Sequence, residues 1–165
     1  MTMIDRAPRG RQVHFHDPAA PAATVVVPSV FIAVTEPGER LLLVRRCDSG
    51  AWELPGGRVE VGETAVGTAV REAAEEAGVA VQVTGLVGVF TDPSHVVRSP
   101  SGEVRQQFVV VLRGHAVQGV PHGDLQETSA AAWVDVADLP GLLIEPPVRV
   151  WIAHALAAEE QPHLG

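Results

Sequence analysis

The chain contains no lysine, no tyrosine and a single cysteine in 165 residues. Without lysine there is no phosphate-binding lysine of the P-loop kind, and no G-x4-G-K-[ST] run occurs. All 12 basic residues are arginines. Cys47 alone cannot close an internal disulfide, which favours a reducing compartment, read here as the cytoplasm. No histidine or asparagine pattern accompanies it as a nucleophile, so it reads as a small residue at a strand end. Positive charge is also scarce. A net charge of −8 argues against polymeric nucleic acid, which needs basic patches, but leaves room for a small phosphorylated ligand screened by metal. Long unbroken apolar runs are missing too. Arg6, Arg9 and Arg11 ahead of residues 19–34 imitate a secretory leader, yet Asp17, Pro18, Pro21 and Pro28 interrupt that stretch and no membrane partner is expected.

What remains is a sequence with 46% hydrophobic content, enough for one sizeable core, and no internal repeat. Residues 1–23, rich in Pro, Ala, Arg and His, read as an N-terminal arm, disordered or loosely docked, and residues 24–160 as one domain. Val25–Val34 reads as a strand in which Pro28 implies a bulge or an edge position. Residues 36–39 form a turn, and Arg40–Arg46 completes a hairpin. Val81–Phe90 is β-like, and Thr91–Gly102 is a loop. Glu103–Ala116 is a long strand, Gln118–Thr128 a second loop and Ala131–Val136 a strand. Pro146-Pro147 opens a last helix with a core stripe of Val148, Trp151, Ile152 and Ala155.

Between Gly57 and Val79 the chain reads GRVEVGETAVGTAVREAAEEAGV. Trp52–Pro55 forms an extended run ending in Gly56-Gly57, where paired glycines permit close backbone approach to a ligand or ion. The spacing predicts a helix from an N-cap at Thr64 to Gly78, with Val66, Ala69, Val70, Ala73 and Ala77 on a core face. Glu72, Glu75 and Glu76 share a neighbouring arc. Arg71 can pair with Glu75 at i,i+4, but one arginine does not offset three acids. A solvated acidic face is the ordinary reading of such a helix. Here, a chance match of the glycines, arginine and glutamates at these offsets would arise in only about one in a million chains of this length. Clustered hard oxygen donors suit Mg²⁺ or Mn²⁺.

The segment resembles the Nudix box, Gly-x5-Glu-x7-Arg-Glu-U-x-Glu-Glu-x-Gly-U with U a small or aliphatic residue, at every defined position. Ala73 is a small occupant of the first U. LLLVRR (41–46), WELPGG (52–57) and AAWVDVADLPGL (131–142) are similar to that family's flanking segments. The resemblance implies an α/β class protein, an α/β/α sandwich with a mixed β-sheet, and hydrolysis of a nucleoside diphosphate linked to another group. It places Mg²⁺ (or Mn²⁺) on Glu72, Glu75 and Glu76 with the carbonyl of Gly57, makes Arg71 an orienting partner, and gives Glu63 a supporting role. Some members take their general base from a loop after the box, where this chain offers Asp124 and Glu127; Glu127 is the base candidate chosen here. His95 is a further candidate, with a surface histidine as the alternative. Arg58, Arg98, Arg105 and Gln107 are candidate contacts to phosphate or nucleobase.

The implied partner is a small nucleotide, either a nucleotide sugar such as ADP-ribose or a nucleoside triphosphate, and the family admits a homodimer. Pro93 stands near where ADP-ribose-directed members carry a proline. The missing tyrosine disfavours a diadenosine polyphosphate hydrolase, and signatures of coenzyme A and NADH hydrolases are not visible. Cys47 lacks the metal-binding histidines of isopentenyl diphosphate isomerase. The alternative of another class is a catalytically silent, ligand-sensing domain, which commonly loses the box glutamates that this chain keeps.

Overall fold

Alternating aliphatic residues build the molecule around two long strands that pair in parallel. The computed structural model describes residues 10–37, 39–157 and 159–165. The strands in chain order are β1 (Gln12–Phe15), β2 (Val25–Glu36), β3 (Arg40–Arg46), β4 (Trp52–Glu53) and β5 (Gly56–Arg58). After helix α1 (Ala65–Ala77) come β6 (Ala80–Phe90), β7 (His95–Arg98), β8 (Val104–Gln118) and β9 (Thr128–Asp135). A 3-10 turn (Val136–Gly141), helix α2 (Pro146–Ala157) and β10 (His163–Leu164) complete the chain.

β2 and β8 run parallel from Val25↔Arg105 to Val34↔Gly114. The far edge of β8 carries β7 and then β6, both antiparallel, and β1 adds to β7. On its other edge β2 holds β5 at Ser29–Phe31. β3 pairs with β9 and β4 in a smaller antiparallel sheet, joined to the larger one where Thr35 meets Leu41 and Glu36 meets Arg40. Phe31, Val109 and Val111 face α2 through Trp151 and Ile152. Their neighbours Val30, Ile32 and Leu112 face α1 through Ala69, Ala73 and Ala77. One helix on each face of a mixed sheet is the expected α/β/α sandwich. Among the described residues no helix is long and apolar enough to cross a membrane.

The structure departs from the sequence-based expectations at four places, and of the two alternatives for Pro28 it takes the edge. Arg6, Arg9 and Gly38 of the expected turn lie outside the described residues, but Gln12–Phe15 of the N-terminal arm is strand β1, not a loosely docked segment. Thr91–Gly102 is not all loop. His95–Arg98 pairs with β8 on one side and supplies the partner that β1 needs on the other. The expected hairpin opens after two residue pairs, because β2 and β3 feed different sheets. Pro28 sits in an unbulged strand; its carbonyl accepts from Val59 N at 3.1 Å, and its missing N–H faces the side where pairing to β5 has already ended. That makes Pro28 locally an edge. On α1, Val66 and Val70 are exposed, and Thr68, Glu72 and Glu76 share the buried face with the alanines. The final helix and its stripe stand as read. β10 had no sequence signal.

Candidate active site

Helix α1 begins and ends as local chemistry dictates. Thr64 caps it by accepting from Gly67 N at 3.0 Å, and Gly78 ends it at φ 67°, a conformation that favours glycine. These caps fix where the helix starts and stops, and its packing against the sheet through Ala69, Ala73 and Ala77 decides which glutamates turn inward. Glu72 (8% exposed) and Glu76 (2%) are buried. Glu75, whose side chain is 60% exposed, points away beside Arg71. The three carboxylates that the spacing placed on one arc are therefore split between two environments.

Glu76 Oε2 accepts from Gly56 N at 3.0 Å, tying the helix to β5. Burial, with the nearby charges of Glu53 and Glu72, pushes its carboxyl up to about 9 against the pull of the Gly56 N–H and Arg46. Glu72 is also raised, by burial first; Arg71 opposes the shift, and Glu75 and Glu127 add to it. Two buried carboxylates short of positive charge are what a divalent cation would relieve. Gly57 leaves them room, since a methyl group there would overlap the Glu72 carboxylate. Among the described residues no three Asp, Glu, His or Cys side chains converge on one point. Two carboxylates and a backbone carbonyl still fit Mg²⁺, which binds through one or two carboxylates plus waters and substrate phosphate.

Arg71 organises the outer side. It donates to Glu63 from Nε (2.6 Å) and Nη2 (3.0 Å), lies 3.0 Å from Glu72 and 3.1 Å from Glu75, and reaches the Arg58 carbonyl at 3.3 Å. The hydrogen bond from Arg71 holds the Glu63 carboxyl down near 2, helped by Glu60 N–H and the Thr68 hydroxyl. Glu63 thus fixes the arginine that orients Glu72.

These carboxylates open onto a cavity of about 650 Å³. Glu60, Glu72, Glu76 and Glu127 line it, together with Gly56 and Gly57. Its basic and polar lining includes Arg58, Arg105, Gln107 and Ser29. Ser29 and Gln107 are buried on one sheet face, as the register of β2 and β8 requires. Arg58 and Arg105 share one acid, Glu103 Oε1, at 3.3 and 3.5 Å.

Asp124 and Glu127 prove different. Asp124 Oδ1 accepts the backbone N–H groups of Gln126, Glu127 and Thr128, each at 2.9 Å. Burial works against its charge, but those bonds hold the carboxyl below its ordinary range. Asp124 therefore shapes the loop while Glu127 faces the cavity. Thr128 completes the join by donating to the Glu76 carbonyl at 2.7 Å.

Two other candidates lie elsewhere. Arg98 does not line the cavity. His95 is buried, so it is no surface histidine, and it sits in the aromatic company of Phe15 and Trp151, each 5.9 Å away between ring centres. Burial first, then the charges of Arg11 and Arg105 against Asp92, pushes its imidazole down to about 4. Conversely, besides Ser29 and Glu60, a charged network that the sequence did not single out borders the site. Arg46 binds Asp48 at 2.8 and 3.0 Å and buried Glu53 at 3.1 Å, and Arg11 pairs with Glu53 from the other side. Arg11, Arg46 and Asp48 line the cavity. The family-like flanks touched this network at two points, LLLVRR through Arg46 and WELPGG through Glu53.

Comparison with known proteins agrees with this fold. The NUDIX domain model matches residues 26–156. A putative 8-oxo-dGTP diphosphatase of Bacillus subtilis (strain 168) is 33% identical over 114 residues, 69% of this chain and 70% of the relative. An ADP-ribose pyrophosphatase of Methanocaldococcus jannaschii is 33% identical over 116 residues, 68% of this chain and 64% of the relative. Among solved structures, a NUDIX hydrolase from Nitrosomonas europaea superposes with a TM-score of 0.69 at 20% identity, covering 87% of this chain and 80% of that one. At that identity the likeness is one of fold.

Proposed function

We propose that this chain, which belongs to the Nudix family of hydrolases, uses a divalent cation to cleave a phosphoanhydride bond in a small nucleoside diphosphate derivative. The observation that carries the reading is the pair of buried carboxylates, Glu72 and Glu76, lining one cavity together with Arg58 and Arg105. Glu72, Glu76 and the Gly57 carbonyl would hold Mg²⁺ or Mn²⁺, with Glu75 as a third carboxylate on the solvent side. Such an ion, when bound, neutralises phosphate oxygens and lowers the pKa of a bound water. Glu127 takes the proton of the attacking water, which adds to phosphorus as the bridging P–O bond breaks. Arg71 keeps Glu72 and Glu75 in place, and Arg58, Arg105 and Gln107 hold the substrate.

The substrate is either a nucleotide sugar such as ADP-ribose or a nucleoside triphosphate; relatives named for ADP-ribose and for 8-oxo-dGTP support both. Assaying phosphate and nucleotide products from a panel of both kinds, with and without Mg²⁺, tests the proposal. Turnover that needs the metal is expected. Binding without turnover would point to a ligand-sensing domain, and neither binding nor turnover of any compound would overturn it.

A further inference from the structure

Arg11 approaches the cavity from outside both the box and its flanking segments. It stands one residue before β1, whose Val13 lies opposite Val97 on β7, which lies opposite Arg105 on β8. Residues directly opposite on neighbouring strands share a face, so Arg11 projects on the Arg105 side of the sheet. Its main chain is pinned to the other sheet. Arg11 N donates to Asp48 Oδ2 at 3.3 Å, and a side chain on Gly10 would touch Asp48 Cβ. Segment 10–15 thus closes the open edge between the two sheets, with the Arg11 guanidinium on the cavity wall.

We propose that Arg11 is a phosphate-contacting residue of this cavity, held ready by Glu53; the proposal rests on reading the cavity as the diphosphate site. Arg46 is more fully committed, and Arg58 is more exposed, its side chain 53% accessible against 16% for Arg11. Arg46 spends Nε, Nη1 and Nη2 on Asp48 and Glu53, and Arg58 and Arg105 both lean on Glu103. Arg11 gives Nη2 to Glu53 Oε2 and, among the described residues, no other guanidinium N–H to a carboxylate. A guanidinium carries five donors in a planar fork, so one edge can rest on Glu53 while the other binds a phosphate oxygen. Glu53 is buried (2% exposed) and close enough to Glu76 for its charge to be felt there, which places Arg11 beside the carboxylates that would hold the ion. Orienting a donor through a buried acid restricts its motion before ligand arrives.

The test uses methylenediphosphonate, a diphosphate mimic with no nucleobase and no cleavable bridge, titrated calorimetrically into the full chain in MgCl₂. Arg11→Ala is expected to weaken binding roughly tenfold to a hundredfold. With a substrate from the nucleotide panel, KM rises by a similar factor while kcat changes little, a split that a purely structural role would not produce. Arg11→Lys keeps a positive charge opposite Glu53 but loses the fork, and should fall in between. Equal affinity in wild type and Arg11→Ala overturns the inference and leaves the diphosphate reading standing. No binding by wild type takes both down. If Arg11→Ala fails to fold, Arg11→Lys decides, and unchanged affinity in that variant also overturns the inference.

Discussion

Glu76 occupies a core position, and its carboxyl has one backbone N–H for company, that of Gly56. Burying a charge with so little compensation destabilises a fold, and such groups persist where function needs them. Glu76→Gln keeps an oxygen to accept from Gly56 N and removes the charge. In metal-free buffer it should melt at a higher temperature than wild type, while kcat/KM with Mg²⁺ falls at least about a hundredfold. A lower melting temperature with activity retained would show that Glu76 is only a packing residue. Gly57 makes the same argument from the backbone. In Gly57→Ala the new methyl meets the movable end of Glu72, so activity should drop much further than stability. Asp124 shows a residue acting through its neighbours. Asp124→Ala frees three N–H groups and should cost about 1–2 kcal/mol in denaturant unfolding, together with a loss of kcat as Glu127 loses its anchor. Asp124→Asn, which retains one acceptor oxygen, should recover part of both.

At the scale of elements, β7 carries a titration that reaches global stability. Burial pushes the His95 imidazole down to about 4 from its ordinary value of 6.5. Above pH 6.5 both states are neutral and the residue makes no difference. As the pH falls from 6.5 towards 4 the unfolded chain binds a proton that the native state refuses, so stability falls with it, by on the order of 3 kcal/mol at pH 4. His95→Phe should flatten that part of the stability–pH curve, measured by urea unfolding between pH 4 and 7.5; an unchanged slope would place a charged imidazole in the fold. Elements also differ in how far the sequence reveals them. Helix α1 is legible because Thr64, Gly78 and the alanines act within one helix, over distances the chain itself fixes. Which glutamates face inward is not, because the rotation depends on the sheet, and Thr68, Glu72 and Glu76 displace Val66 and Val70 from the buried face. β1 and β7 each have four residues and exist only as partners, so neither has a signal of its own. Arg11 and Glu53 are 42 positions apart, and no local pattern marks them as a pair.

For the whole molecule, the site lies at the joint between two sheets that, among the described residues, are linked by a short β2–β3 pairing. α1 supplies Glu72 and Glu76 to that joint, β5 reaches it through Gly56 and Gly57, and the loop before β9 brings Glu127, locked to α1 by Thr128. A cation bound there would do two things at once. It would remove the repulsion between buried carboxylates, and it would bridge elements that the backbone connects weakly. Ligand that binds only the native state stabilises it by RT ln(1 + [L]/Kd), about 2.7 kcal/mol at a hundredfold excess over Kd. The melting temperature of wild type should therefore climb with MgCl₂ concentration and fall back when EDTA is added. Glu72→Gln/Glu76→Gln should start above metal-free wild type and stay flat across the same titration, because the charge that opposed folding and the ligands that bind the ion are the same groups. A Mg²⁺ response of equal size in the double variant would mean that the ion acts elsewhere on this acidic chain, and that the joint between the sheets is held by protein contacts alone.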